Sequence, residues 1–350
     1  MPSIKKILVL SRENITNYGD PIIADCCKYL IEKTASENNI PVHVSISDVY
    51  EKDPQVLFEA VKAAEIIVFP GGGINSMKFN RLILDIVKKA QENRERPVFF
   101  NAIGLNNRNP NKKNEKLLVE IFNQLNVKQI TTRGDIEELK RLAVNNKEFQ
   151  SKWVFDPALW AGEAYGVTRE VGSKLVGVGL IRPEIFMENG CDFSIENVFS
   201  MYLSIINELN ARKLEWRLFT NGMKRDHRFG KELLKRLNLD VAIYLGENTN
   251  SKEQLIERIA QFGGIIATRL HANIIATALD IPSVGLVWNS KLSLFGKLID
   301  CSDRYIEVEK LTDITYIVDK LEQARDEGYN HEHIESIKSI TLETVRNIIS

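Results

Sequence analysis

Short apolar, β-branched runs alternate with longer segments of helical period along nearly the whole chain, the pattern of βαβ units and parallel sheets. In the first half this predicts strands at Ile7–Ser11, Val42–Ile46, Ile66–Phe69, Val98–Asn101, Lys128–Thr131 and Trp153–Phe155. The helices between them fall at Pro21–Ser36, Pro54–Ala64, Phe79–Gln91, Lys113–Leu125 and Ile136–Ala143. In the first helix Ile23, Cys27, Leu30 and Ile31 share one stripe while Asp25, Lys28 and Glu32 face away.

A second series starts with a strand at Leu175–Ile181 and adds strands at Trp216–Phe219, Val241–Tyr244, Gly264–Ala267 and Ser283–Val287. Helices are expected at Ile195–Ala211, Phe229–Leu237, Lys252–Phe262, Leu270–Leu279 and Leu292–Ile299. The expected fold class is α/β, with two Rossmann-like doubly wound domains facing a cleft that holds the chemistry. The domains are expected over 1–165 and 173–310, joined through the glycine-bearing stretch Gly162–Gly172, with closing helices in 311–350. A chain of 350 residues exceeds one ordinary core and suits two.

Composition excludes more than it selects. The chain is 44% hydrophobic and 27% charged, which sets it apart from disordered, collagen-like and membrane-spanning sequences. Its 46 basic and 47 acidic residues leave a formal net charge of -1, so no global field draws it to nucleic acid or to an anionic bilayer, and any anion site is local. Cys26, Cys27, Cys191 and Cys301 show no CxxC spacing and read as packing in a reduced compartment. The apolar run Ile7–Leu10 is too short for a signal sequence or a membrane span. A cytoplasmic location follows, with peripheral attachment at the inner face of the membrane left open.

The chemistry is expected at the carboxyl ends of the strands. Arg269 and His271 follow the strand Gly264–Ala267 two residues apart, so in extended backbone both would grip one anion. Lys291 stands on the next strand-to-helix turn, where Ser290 is placed to cap the helix and present its amides. Arg182 ends a buried strand, where an arginine must be paired or reading an anion. The stretch Gly177-Val178-Gly179 lacks the third glycine of a dinucleotide fingerprint, which argues against NAD.

Near the start, Asn17-Tyr18-Gly19-Asp20 joins the first strand to the first helix, with Asp20 as N-cap or as a proton acceptor for a substrate hydroxyl. Gly71, Gly72, Gly73 and Asn75 form a turn whose backbone can approach a ligand. His331-Glu332-His333 reads as a solvated helix start, His43 as structural and Lys88–Arg96 as a wet helix end, and Asp226-His227 is left open. No metal or resident cofactor is called for.

Taken in order, Asn17-Tyr18-Gly19-Asp20, Pro70-Gly71-Gly72-Gly73, Asn101-Ala102-Ile103-Gly104, Thr132-Arg133-Gly134-Asp135, Asp156-Pro157-Ala158, Arg182, Arg269-Leu270-His271-Ala272 and Lys291 resemble the polysaccharide pyruvyl transferase family. The resemblance runs from about Ile7 to Ile299. It implies a GT-B-like fold with an acceptor-side first domain and a donor-side second domain. Phosphoenolpyruvate would be the co-substrate, the acceptor a sugar, lipid-linked or free, and the product a ketal-linked pyruvate. It also implies donor binding by Arg182, Arg269 and His271. A homo-oligomer is compatible with it. A nucleotide-sugar glycosyltransferase and a non-catalytic member of the fold are the alternatives.

Overall fold

The computed structural model describes residues 4–13, 15–74, 76–92, 95–105, 112–146 and 152–350. The chain forms two compact units: Met1–Ile15 with Asp20–Pro157 and Glu335–Ser350, and Thr16–Gly19 with Ala158–Ile334.

The first unit runs β1 (Lys5–Ser11), α1 (Gly19–Glu37), β2 (Val42–Asp48), α2 (Pro54–Ala63), β3 (Ile66–Phe69), β4 (Gly72–Gly73), α3 (Met77–Lys89), β5 (Val98–Gly104), α4 (Lys112–Phe122), β6 (Val127–Thr132), α5 (Ile136–Leu142) and β7 (Lys152–Trp153). Its strands pair in parallel in the order β2-β1-β3-β5-β6-β7, with β4 against β5. Strands buried on both faces read as unbroken apolar runs, which is why Ile66-Ile67-Val68-Phe69 was legible. Phe69 stacks on Phe100 at 4.7 Å, and Phe122 meets Phe100 edge-on. Cys26 and Cys27 lie in this core, and burial pushes the Cys27 thiol up to about 12, so both pack rather than react.

The second unit runs α6 (Ala161–Tyr165), β8 (Val176–Gly179), α7 (Glu184–Glu188), α8 (Ile195–Ala211), β9 (Trp216–Phe219), α9 (Lys224–Arg236), α10 (Val241–Tyr244), α11 (Lys252–Ala260), β10 (Gly264–Ala267), α12 (Leu270–Ala278), β11 (Ser283–Leu286), α13 (Ser290–Leu298), β12 (Tyr305–Ile306) and α14 (Ile314–Glu327). The parallel sheet has the order β12-β11-β10-β8-β9. The glycines of β8 serve packing: a Cβ on Gly177 would lie 2.5 Å from the Phe262 ring. The last helix, α15 (His331–Ile349), belongs to the first unit from Glu335 onward. There Gln129 donates to the Thr344 carbonyl at 3.0 Å, and Thr341 Oγ1 accepts from Phe155 N at 3.0 Å.

Three expectations are corrected, and one strand is new. Val241–Tyr244 is a helical turn, not a strand: Asp240 caps it by accepting from Ala242 N at 2.8 Å, and Ile243 is exposed. The expected linker Gly162–Gly172 opens with α6, which ends at the left-handed Gly166. The short edge strand β12 has no counterpart in the sequence reading. Arg96, placed on a wet helix end, is buried and donates to the carbonyls of Ala64, Glu92 and Lys62. Among the described residues no helix is long and apolar enough to cross a membrane.

Candidate functional site

In the second unit the charged residues gather at the carboxyl edge of the sheet, around the point where chain order reverses between β8 and β10. Asp226, in the first turn of α9 and without solvent exposure, organises them. Its Oδ1 accepts the backbone N–H of Arg182 at 3.0 Å, and its Oδ2 accepts Nε of Arg269 at 2.9 Å together with Nη2. Burial raises the Asp226 pKa, a push that Arg269 and the Arg182 amide oppose. Arg269 is thus gripped along one edge, and among the described residues no partner meets its Nη1. Arg182 pairs with the exposed Glu188 and, at 3.6 Å, with Glu184, and the Glu188 bonds hold its pKa above the ordinary arginine value.

Both arginines are therefore engaged by carboxylates, one buried and one exposed. A second correction concerns backbone. Arg269 is extended, but α12 has begun at Leu270, so His271 lies in a helical turn and the two side chains do not run parallel from a strand. His271 is instead fixed by close approach: its ring lies against Gly19 so tightly that a Cβ there would stand 2.1 Å from Nδ1. The segment Thr16–Gly19 belongs to this unit, and Tyr18 N donates to the Asn221 carbonyl at 3.1 Å. Asn221 is buried, yet among the described residues neither of its amide atoms has a hydrogen-bond partner, nor has Oδ1 of Asn17. His227 is held below the usual histidine range, first by burial and then by Lys231 and Arg258.

Lys291 sits in the first turn of α13, next to the β10 loop because Trp288 Nε1 donates to the Thr268 carbonyl at 2.7 Å. The cap of α13 is Asn289, not Ser290: its Oδ1 accepts Lys291 N at 3.1 Å, and Ser290 is already helical. The cap falls one residue earlier because Asn289 is the last extended position.

The first unit carries its own cluster at the carboxyl edge of its sheet. Asp20 is not an N-cap, since α1 starts at Gly19; its Oδ2 pairs with Arg12 Nη2 at 2.8 Å, and Arg12 also reaches the Gly73 carbonyl at 3.3 Å. Where the sequence suggests an open anion-cradling turn, Gly72 and Gly73 pair with Ile103 and Gly104 of β5. The φ values of +138° at Gly71 and +90° at Gly72 swing the chain back into the sheet, a path barred to most side chains. Asn75 lies outside the described residues. Beside this turn, Arg133 is buried against Asp156, and desolvation pulls its pKa down to about 10, with Asp20 raising it and Arg12 lowering it. Ala102, at φ +47° beside a register shift in β5, donates its N–H to Thr131 Oγ1 at 2.8 Å, which accounts for the bend in Asn101-Ala102-Ile103-Gly104.

Sequence reasoning left Asp226 open, as part of a polar loop after Phe219-Thr220-Asn221-Gly222, where the structure has the first turn of α9, and it did not single out Arg12. Arg12 was accessible as the cation directly following β1, whereas Asp226 carries no motif and gains its meaning only when α9 packs beside β8.

Comparison with curated proteins gives no match. The UDP-GlcNAc 2-epimerase of Methanocaldococcus jannaschii is similar at a TM-score of 0.58 and 13% identity, over 89% of this chain and 92% of that one. The Neisseria meningitidis UDP-GlcNAc 2-epimerase bound to UDP-GlcNAc gives 0.57 at 11% identity, over 98% and 100%. The S. aureus MnaA–UDP structure gives 0.54 at 11% identity, over 91% of each chain. At these identities the likeness is one of fold, two Rossmann-like parallel sheets of GT-B type. The polysaccharide pyruvyl transferase family model matches residues 17–290, from the Asn17 turn to the start of α13. That span takes in most of both clusters, and the chain belongs to the polysaccharide pyruvyl transferase family, a family of transferases.

Proposed function

We propose that this chain transfers the pyruvyl group of phosphoenolpyruvate to a sugar as a cyclic ketal, releasing phosphate. The supporting observation is the joint attachment of Arg182 and Arg269 to Asp226 beside His271, at one strand edge. Phosphoenolpyruvate carries a carboxylate and a phosphate on a small skeleton and calls for several fixed cations. Arg269, held through Nε and Nη2 with Nη1 left over among the described residues, suits one of these groups. Arg182, whose partners are exposed glutamates, can exchange them for another, and Lys291 supplies a third charge.

On this reading His271, as imidazolium, gives a proton to the methylene carbon, and the carbon bearing phosphate takes up the acceptor hydroxyl. Asp20, oriented by Arg12, accepts the hydroxyl proton. The C–O bond to phosphate then breaks, inorganic phosphate leaves with the proton taken from the first hydroxyl, and a second hydroxyl of the same sugar adds to close the ketal, its proton returning to His271. Preorganised cations stabilise the charge that builds on the departing phosphate. A lipid-linked precursor as acceptor, a peripheral membrane position and a cytoplasmic site of action belong to the same proposal.

The test is phosphate release from phosphoenolpyruvate with candidate glycans, with mass spectrometry of the product. Arg269→Ala is expected to raise KM for phosphoenolpyruvate about tenfold or more, the scale of one lost charge-assisted hydrogen bond. Unchanged turnover and KM in that variant would refute the assignment. Thermal stabilisation by a nucleotide sugar, with none by phosphoenolpyruvate, would transfer the chain to the glycosyltransferase alternative.

A further inference from the structure

The first unit holds a pocket of about 490 Å³ beyond the end of β2, a volume suited to one small ligand. Val49, Leu57, Phe58 and Leu82 form an apolar floor, and Tyr50 and Lys78 stand at the rim. A chain of contacts joins it to the Asp20 cluster. Arg12 pairs with Asp20 at 2.8 Å and lies over the Phe79 ring at 5.1 Å. Phe79 in turn meets Tyr50 at 6.0 Å between ring centroids, and Lys78 Nζ lies 6.0 Å from the Tyr50 ring.

The charges at this rim are unequal. Glu51 folds its Oε1 onto the N–H groups of its own loop, at 2.8 Å from Lys52 N and 3.4 Å from Asp53 N. Lys78 is exposed and, among the described residues, has no carboxylate within ion-pair distance. An exposed aromatic ring above an apolar floor accepts the C–H face of a pyranose. A neighbouring cation without a counter-charge adds a preference for an anionic substituent. A purely hydrocarbon ligand would fill the floor and leave that cation unused.

We infer that the Tyr50–Lys78 pocket is an acceptor subsite for a sugar bearing a negative charge, whether a uronate carboxylate or a glycosyl phosphate. The inference rests on the acceptor role proposed for the Asp20 side, and it names the sugar class that this side takes. The shared requirement is one pyranose face and one anion.

Ligand-observed NMR titration tests it, using methyl β-D-glucuronide, glucose 1-phosphate and the neutral methyl β-D-glucoside, with no phosphoenolpyruvate present. At least one anionic probe is expected to bind about tenfold more tightly than the neutral one. Lys78→Met is expected to erase that advantage without shifting Tm, and Tyr50→Ala to weaken all three probes. A glucuronide preference identifies the carboxylate as the source, and a glucose 1-phosphate preference identifies the phosphate. Repeating the titration in Arg269→Ala removes phosphate captured by the donor residues. Equal binding of neutral and charged probes, indifference to Lys78→Met, or no binding of any probe overturns the inference. Because the measurement involves no turnover, it can succeed while phosphate release fails, and the reverse.

Discussion

Alanine at position 19 is expected to leave the chain folded and to cut turnover about as deeply as loss of the His271 imidazole. The added Cβ would stand 2.1 Å from Nδ1 and 2.4 Å from Cγ of His271, distances that no real contact tolerates. Either the ring rotates out of place or the Thr16–Gly19 segment lifts from the Asn221 carbonyl. Helix α1 loses nothing, because alanine is the better helix former and Gly19 shows no left-handed φ. If His271 is the proton donor, kcat should fall by about 10²–10⁴-fold, the usual worth of a positioned acid. Phosphate-release kinetics together with Tm check this. The double variant Gly19→Ala/His271→Ala should lose little beyond either single change, because both remove one group. Wild-type kcat in Gly19→Ala would remove His271 from the mechanism.

The largest effect on stability is expected from Asp156→Ala. Asp156 is 2% exposed and is the ion-pair partner of Arg133, itself 9% exposed. Removing the carboxylate leaves a guanidinium that burial already penalises, without its ion-pair partner. The expected cost is about 3–5 kcal/mol, typical of a broken buried pair and a large share of a domain's stability. Urea midpoints should show the double variant Arg133→Met/Asp156→Leu well above Asp156→Ala, since an apolar pair of similar volume leaves no charge stranded. A midpoint for Asp156→Ala close to wild type would mean that the pair contributes no structural constraint.

Much of this architecture was legible because a strand buried on both faces must be apolar throughout. Trp216–Phe219 and Gly264–Ala267 occur where the runs of four lie. The same rule fails for Val241-Ala242-Ile243-Tyr244, since four apolar residues have no readable period, and the deciding fact is the cap from Asp240. Arg182, Arg269 and His271 could be picked out because each follows a strand of the second sheet. Their wiring could not, since Asp226 is 43 residues from Arg269 in the chain and speaks to it only through tertiary packing. Gly19 illustrates the limit from the other side: as a letter it signals a turn, and only the ring of His271 above it explains why no side chain fits.

The two arginines of the second unit also differ in their surroundings. The glutamates holding Arg182 are 43% and 48% exposed, while the aspartate holding Arg269 is fully sealed. Dissolved electrolyte reaches the first pair and not the second, so raising ionic strength slackens one grip and spares the other. On the proposed function, the edge of this sheet would then act as a vice with one hinged jaw and one fixed jaw, the saltiness of the medium setting how freely the hinged jaw swings.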